Sequence, residues 1–194
     1  MKEQQAGSRP ANALGEGREL VIRAEEHSAA TAEGVFHVLT DLRSHLEWAG
    51  AMQGKKTRLV SLEAPEGAAK VGTEFETTGT DPMGRFSDRS VVTEATPNEV
   101  FEIVTEARLD TKKGEPVDWT LVNRYELSPE GTGCRIVYAE RVTRISALPG
   151  MLAIFRMPVL RRVALKVSAA VTRRSVRNLA RLAEQRALSP DSLP

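Results

Sequence analysis

The stretch that decides the fold is residues 159–186, which read VLRRVALKVSAAVTRRSVRNLARLAEQR. This segment has no proline or glycine and is the longest uninterrupted helical pattern in the chain. A narrow stripe of apolar or small residues recurs along one face at spacings of three and four: Leu165, Ala169, Thr172, Val176, Leu179 and Ala183. At roughly 1.5 Å per residue such a helix is about 40 Å long, and it stays folded in water only if the stripe is buried. The sequence therefore predicts a long C-terminal helix that packs on a surface formed by the preceding chain.

The preceding chain has the alternating pattern of a sheet. Seven strands are predicted, at residues 19–27, 55–63, 71–79, 85–95, 99–107, 119–127 and 134–144. Two short helices are predicted between the first two strands, one capped by Ser28 or Thr31 and one over residues 41–48. Because the connections between strands are short, the sheet is predicted to be antiparallel and the fold class α+β. A charged, mobile loop is predicted over residues 109–116, and one face of the third strand is predicted to carry Val71, Thr73, Phe75 and Thr77.

Length and composition favour one soluble globular domain. The 194 residues are predicted to form a disordered N-terminal tail over 1–18, a folded domain over 19–187 and a C-terminal tail over 188–194. The polar first 18 residues contain no apolar signal core, and no apolar run approaches the length of a membrane span, so a cytoplasmic location is predicted. Cys134 is the only cysteine, which excludes an intramolecular disulfide, and it is predicted to be a small core residue.

Charge is balanced overall but unevenly distributed. A net charge of +1 argues against nucleic acid as a partner. From Arg156 to Arg186 the chain has nine basic residues and one acid, Glu184, so the preceding chain is net acidic. The basic face of the final helix is predicted either to be solvated or to meet an anionic surface.

Several local motifs support a family resemblance. They are VFHVLTD at residues 35–41 followed by Trp48, VGTEF at 71–75, EATPNEV at 94–100, and YELSP at 125–129 followed by GTGCRI at 131–136. In the order strand, two helices, six strands, long helix, the chain resembles the helix-grip fold of the START/Bet v 1-like superfamily, also known as SRPBCC or polyketide cyclase/dehydrase-like proteins. The chain departs from the pattern at Leu46, where a proline is common. This superfamily includes lipid carriers, hormone receptors, cyclases, dehydratases and chaperone activators, and it has no shared catalytic residues, so the resemblance implies the fold and leaves the activity open.

A bent sheet closed by one helix encloses a hollow unless large side chains fill it. Aromatic residues make up only 5% of this chain, and many inferred inner positions are small, so an apolar ligand cavity is predicted between sheet and helix. The candidate ligand-binding residues are Phe75, Thr77, Phe101, Ile103, Trp119, Leu121, Asn123, Tyr125, Tyr138, Glu140, Phe155 and Val163. Trp48 is either a core residue or part of the pocket mouth.

The polar members of this set have two interpretations. Asn123, Tyr125, Tyr138 and Glu140 either orient a ligand hydroxyl or carbonyl, or act in acid–base chemistry. Alternatively, the tyrosine hydroxyls reach solvent or backbone, and Glu140 pairs with Arg124 or Arg141. A further open question is the apolar patch over residues 148–160, which is predicted to be core, a gate over the pocket hinged at Gly150, or a contact for a membrane or partner.

Three functional classes follow from these features. The first is a binding protein for a hydrophobic small molecule such as a lipid, polyketide or isoprenoid. The second is a polyketide aromatase/cyclase or dehydratase, and the third is an interaction module similar to chaperone-ATPase activators. No cofactor and no metal are predicted, because His27, His37 and His45 have no second ligand cluster. The predicted partners are an apolar small molecule, with peripheral contact to an anionic membrane, and the protein is predicted to be a monomer or homodimer.

Overall fold

A computed structural model gives the structure of the protein and describes residues 12–15, 18–49, 58–80, 83–112 and 114–189. It contains one seven-stranded antiparallel sheet whose strands, numbered along the chain, are β1 Leu20–Ser28, β2 Arg58–Glu63, β3 Glu74–Thr80, β4 Gly84–Thr96, β5 Val100–Thr111, β6 Val117–Glu130 and β7 Gly133–Ile145. The helices are α1 Ala32–Thr40, α2 His45–Trp48 and α3 Pro158–Leu188, with 3-10 turns at Leu42–Ser44 and Gly150–Arg156. No helix among the described residues is both long enough and apolar enough to cross a bilayer.

The predicted helix-grip architecture is confirmed. The strand order across the sheet is β1-β7-β6-β5-β4-β3-β2, so the first and last strands of the chain are paired and the remaining strands follow as a meander. The two short helices lie between β1 and β2 in the chain, and the long helix comes last, as the sequence pattern predicted.

Some boundaries differ from the prediction. Strand β5 continues to Thr111, so the loop predicted from residue 109 is wrong at its start, where Leu109 is buried and packs in a hydrophobic cluster. The pattern predicts Val71 and Thr73 on one face of the third strand together with Phe75 and Thr77. In the structure they precede β3, in and just after a turn, and Val71 is exposed. Residues 55–57 of the second predicted strand lie outside the described residues, as do most of the two predicted tails.

The second half of α3 holds the helix to the rest of the protein. Val176, Leu179, Ala180 and Ala183 are buried, and they join the main core cluster with α1 and the concave face of the sheet. The first half of α3 contains no fully buried residue. The predicted apolar stripe is therefore buried only over its second half, while Leu165, Ala169 and Thr172 are half-buried.

Helix α1 is packed between α3 and the sheet. Thr31 caps its N-terminus by accepting a hydrogen bond from the Gly34 amide at 3.2 Å. Val35, Val38 and Leu39 are completely buried, which places the apolar face of the helix in the main core. These contacts fix α1, and through it α2, against the end of the sheet.

Polar contacts reinforce this attachment. The Arg186 guanidinium donates to Asp41 at 2.8 Å, and the Ser28 hydroxyl donates to the Ala180 carbonyl at 3.2 Å. The Asn178 side-chain amide donates to the Trp48 carbonyl at 3.4 Å. These bonds tie the second half of α3 to α1, β1 and α2.

A second hydrophobic cluster closes the other end of the sheet. Its buried members are Leu109, Val117, Ile145 and Leu148, and the half-buried residues around it include Trp119, Leu152 and Phe155. The chain before β1 contributes to this end, because the Ala13 amide donates to the Ile145 carbonyl at 2.8 Å. The apolar patch over residues 148–160 is thus divided: Leu148 is core, whereas Met157 and Leu160 are exposed.

The two edges of the open sheet are formed by β1 and β2. Helix α3 packs along β1. Strand β2 has only six residues, and its pairing with β3 is interrupted by a bulge between Leu59 and Ser61.

Where β7 begins, Gly133 lies so close to the Ser28 carbonyl that a side chain there would collide with the backbone.

The unequal burial of α3 leads to a stability prediction. Leu179→Ala is expected to lower the free energy of unfolding by about 2–5 kcal/mol, because it leaves a cavity in the main core. Val167→Ala, on the same helix but 60% exposed, is expected to change it by less than about 0.5 kcal/mol. Urea denaturation followed by circular dichroism measures both values. Equal effects of the two substitutions would contradict the division of the helix into an anchored and an exposed half.

Candidate functional site

A cavity of about 290 Å³ lies between the concave face of the sheet and α3. Strands β3 to β7 supply one wall, α2 supplies another, and Thr172, Ser175 and Val176 of α3 supply a third. These helix residues stand at the transition between the half-buried and the fully buried parts of α3. The cavity therefore begins where the helix loses its close contact with the core.

Aromatic rings form much of one side of the cavity. The His45 ring lies 4.6 Å from the Trp48 ring and 5.9 Å from the Phe75 ring, measured between centroids. Trp48 contacts Tyr125 edge-on at 6.1 Å, and Tyr125 lies 4.7 Å from Tyr138. All five residues line the cavity. A ligand there meets a continuous aromatic surface with a few polar tips.

A polar cluster spans β6 and β7, where Asn123 is paired with Glu140 across the strands. The Tyr138 hydroxyl lies 2.6 Å from Asn123 Oδ1 and 3.2 Å from Glu140 Oε2. Because that hydroxyl has one proton, it satisfies only one of the two acceptors at a time. Burial raises the pKa of Glu140, although the hydrogen bond with Tyr138 opposes the shift. A protonated Glu140 donates to the Tyr138 oxygen, which leaves the tyrosine proton for Asn123.

The two tyrosines of this wall stay protonated. Burial raises the pKa of Tyr138 well above its ordinary value, and the charge of Glu140 adds to the effect. Burial and the same carboxylate raise the pKa of Tyr125. Both hydroxyls therefore keep their proton at neutral pH, and that of Tyr138 is already directed at Asn123 or Glu140.

A second carboxyl group lies on β4. Asp88 is half-buried at the cavity wall, and its Oδ2 accepts a hydrogen bond from the Thr77 hydroxyl at 3.4 Å. Burial raises the pKa of Asp88 to about 6, against the opposing effect of that bond. Three strand positions separate β4 from β7, a distance of about 14 Å at ~4.8 Å per strand. Asp88 and Glu140 thus lie at opposite sides of the cavity.

His45 presents an unpaired nitrogen. Its Nδ1 lies 2.9 Å from the Leu42 carbonyl oxygen, which accepts only from a protonated nitrogen. Burial lowers the pKa of His45 to about 4, so the ring is neutral at pH 7 and its Nε2 carries a lone pair. That Nε2 atom is buried and has no hydrogen-bond partner among the described residues. A buried lone pair of this kind costs free energy in the folded protein.

The structure brings most of the sequence-predicted site residues together. Eight of the twelve line this cavity: Phe75, Thr77, Ile103, Leu121, Asn123, Tyr125, Tyr138 and Glu140. Ligand contact by these residues remains a prediction. Arg124 is one of the two predicted ion-pair partners of Glu140. It instead binds Glu94 and Glu102, so the predicted pair between Arg124 and Glu140 is wrong.

The other four predicted residues lie elsewhere. Phe101 is completely buried in the main core and does not line the cavity. Trp119 and Phe155 pack in the second hydrophobic cluster at the end of the sheet. Val163 is 54% exposed, because the first half of α3 turns that face to solvent.

Several cavity residues were not among the sequence candidates. Asp88 and Ser90 belong to a strand whose polar residues fall on both faces, so alternation gave no signal for them. The sequence offers His45 only as a metal ligand and fits Trp48 to either core or pocket mouth, and both residues line the cavity. Around the described residues no group of three or more His, Cys, Asp or Glu side chains is arranged to hold a metal ion.

Comparison with known proteins supports the fold. No protein-family model matches the chain, and no curated protein matches it. The solved structure of an uncharacterized protein from Rhizobium leguminosarum aligns with a TM-score of 0.61 at 15% identity, over 87% of this chain and 96% of that one. Protein SA2116 of unknown function from Staphylococcus aureus aligns with a TM-score of 0.61 at 11% identity, over 89% and 98%. Protein CV1439 from Chromobacterium violaceum aligns with a TM-score of 0.56 at 14% identity, over 84% and 97%.

At these identities the likeness establishes the fold alone. The strand order, the two helices after β1 and the long terminal helix are those of the helix-grip class. The chain has the START/Bet v 1-like fold.

The burial of Asp88 leads to a pH prediction. Between about pH 4 and pH 6 Asp88 binds more protons in the folded protein than in the unfolded chain. Asp88 therefore lowers the free energy of unfolding as pH rises through this range. Asp88→Asn mimics the neutral acid and is expected to stabilise the protein by about 1–3 kcal/mol at pH 7, with little effect near pH 4. Urea denaturation across this pH range measures the difference between variant and parent.

Asp110→Asn, at an exposed position of β5, is the matched control. It is expected to leave the shape of the stability profile unchanged. A stability difference between Asp88→Asn and the parent that does not change with pH would contradict a buried, titrating Asp88.

Proposed function

We propose that the protein binds a small, mainly apolar molecule in the cavity between the sheet and α3. The observation that supports this most is the aromatic wall with a few polar groups converging on the same hollow. Ligand sites in proteins commonly combine an apolar lining with a few placed hydrogen-bonding groups. The fold class supports the same function, since known ligand carriers share it.

The dimensions and polar groups of the cavity narrow the ligand class. A volume of about 290 Å³ is at the lower end of the roughly 300–1,000 Å³ of small-molecule pockets. This favours a polyketide-like ring system or a short isoprenoid over a two-chain lipid. Tyr125 lines the cavity and keeps its proton, so its hydroxyl is the candidate donor to a ligand oxygen. The preferred ligand therefore carries an oxygen acceptor on an apolar frame.

A second candidate is catalysis on the same class of molecule. Asn123, Tyr125, Tyr138 and Glu140 line one cavity, which is the arrangement that an aromatase/cyclase or dehydratase requires. Glu140 is the candidate acid–base group because burial raises its pKa, and Tyr138 is the candidate group for orienting a carbonyl. The cavity favours both small-molecule functions over an interaction module. The cytoplasmic location and the oligomeric state remain predictions.

Ligand binding is tested with N-phenyl-1-naphthylamine, a neutral fluorophore that the basic surface of α3 does not attract. The parent protein is expected to bind it saturably and to release it to apolar competitors. Ser175→Phe places an aromatic ring at the cavity wall and is expected to weaken binding about tenfold or more, a change of ~1.4 kcal/mol. Fluorescence titration measures the affinity.

Gln185→Phe adds the same ring to an exposed position of α3 and serves as the control. It is expected to leave the affinity of the dye unchanged. Undiminished binding by a folded Ser175→Phe variant would show that the dye binds outside the cavity and would overturn the proposal.

Catalysis is tested with β-hydroxyacyl thioesters of N-acetylcysteamine that carry apolar acyl groups. If the protein is a dehydratase, it is expected to form the unsaturated thioester with release of water, detected by mass spectrometry. Glu140→Gln is then expected to slow the reaction about 100-fold or more while dye affinity is retained. Glu106→Gln, on an exposed part of β5, controls for loss of charge. A parent rate equal to the rate in buffer would remove dehydration of such thioesters from consideration and leave the binding proposal intact.

A further inference from the structure

The first half of α3 presents an apolar stripe to solvent. Val159, Val163, Val167 and Val171 are spaced four residues apart and are between 52% and 71% exposed. Leu160 and Met157 extend the exposed apolar surface at the start of the helix. At about 100° per residue the four valines cover roughly 120° of the helix circumference, opposite the face that packs on the core. This stretch of helix is therefore apolar on two faces, and only one of them packs on the protein.

Basic side chains accompany the exposed stripe. Arg162 and Lys166 lie beside the valines, and Arg174 lies at the end of the stripe. None of these three has an ion-pair partner among the residues that the structure describes. The sequence contains no Asp or Glu between Glu140 and Glu184, so no acid within the helix neutralises this charge before its last turns. The exposed apolar surface is thus combined with uncompensated positive charge.

A basic hollow adjoins the start of the stripe. It has a volume of about 510 Å³ and lies where the turn Gly150–Arg156 meets the first residues of α3. Four arginines line it, together with apolar side chains such as Phe155 and Leu165: Arg18, Arg156, Arg161 and Arg162. No acidic residue of the described chain lines it. Arginine forks of this kind suit phosphate oxygens, and the apolar floor suits the adjacent part of an amphipathic molecule.

We propose that this corner of the molecule, formed by the valine stripe and the basic hollow, docks on an anionic phospholipid bilayer. The valines enter the interfacial region, the flanking cations meet the negative surface, and the hollow receives a lipid phosphate. Peripheral binding is strongest when apolar insertion and electrostatic attraction act together. Both are present here on adjoining surfaces at the start of α3.

The charge pattern distinguishes a bilayer from other occupants. A second copy docked through the same face would bring two strongly basic surfaces together, which costs free energy. A nucleic acid would pair with the arginines but would leave the valine stripe in water. An anionic bilayer matches the apolar and the basic parts at once.

The position of the stripe relates docking to the cavity. Val171 ends the stripe, and the next residue, Thr172, lines the cavity. Thr172 faces the sheet, so the valine stripe and the cavity wall lie on opposite sides of the same helix. Docking through the stripe therefore leaves the cavity wall of α3 free of the bilayer.

Vesicle flotation tests the docking proposal. The parent protein is expected to bind vesicles of phosphatidylcholine mixed with phosphatidylserine and to bind vesicles of phosphatidylcholine alone at least tenfold more weakly. Added salt is expected to reduce binding, because it screens the charges. Two variants separate the contributions: Val163→Ser with Val167→Ser removes apolar surface, and Arg162→Gln with Lys166→Gln removes charge. Each pair is expected to reduce vesicle binding about tenfold or more.

The control pair is Lys70→Gln with Arg85→Gln, which removes the same charge from exposed positions away from α3 and is expected to leave vesicle binding unchanged. All variants are expected to bind N-phenyl-1-naphthylamine like the parent, so a failure of docking is distinguishable from a failure of the ligand proposal. Equal binding of the parent to both vesicle types would overturn the proposal. So would binding of inorganic phosphate without vesicle binding, or a dimer in sedimentation equilibrium that the valine variant dissociates.

Discussion

Burial of a short apolar stripe in the second half of α3 is the contact on which the rest of the structure depends. Val176, Leu179, Ala180 and Ala183 occupy the concave side of the sheet together with α1. Without them the inner face of the sheet would expose its aromatic and aliphatic residues to water. Because only about two turns of a helix of 31 residues are buried in this way, the remaining turns are available for other roles.

The cavity is a direct consequence of this partial burial. Thr172 and Ser175 lie just before the buried stripe and carry side chains too short to fill the hollow of the sheet. The aromatic side chains that would fill it are divided between the wall near Trp48 and the cluster around Trp119. The space between these two packed ends is where Tyr138, Asn123 and Glu140 meet.

The sequence predicted the fold well because strand alternation and helix periodicity are local properties. It predicted the faces of strands as well, so Asn123, Tyr125 and Glu140 were correctly placed on the inner side of the sheet. Alternation does not tell which part of an inner face is covered by neighbouring side chains. For this reason the pattern predicts Trp119 as a cavity residue, although it packs in the second cluster. Asp88 was missed because a lone carboxylate in a polar strand has the pattern of a surface residue, and its burial depends on strands distant in sequence.

The order of the strands also bears on how the protein avoids self-association. An open sheet has two unpaired edges, each able to recruit a strand from another molecule. Here β2 is short and bulged, so its edge is a poor template, and α3 packs against β1 at the other edge. The helix that forms one wall of the cavity thus also crowds an edge at which a foreign strand would have to pair.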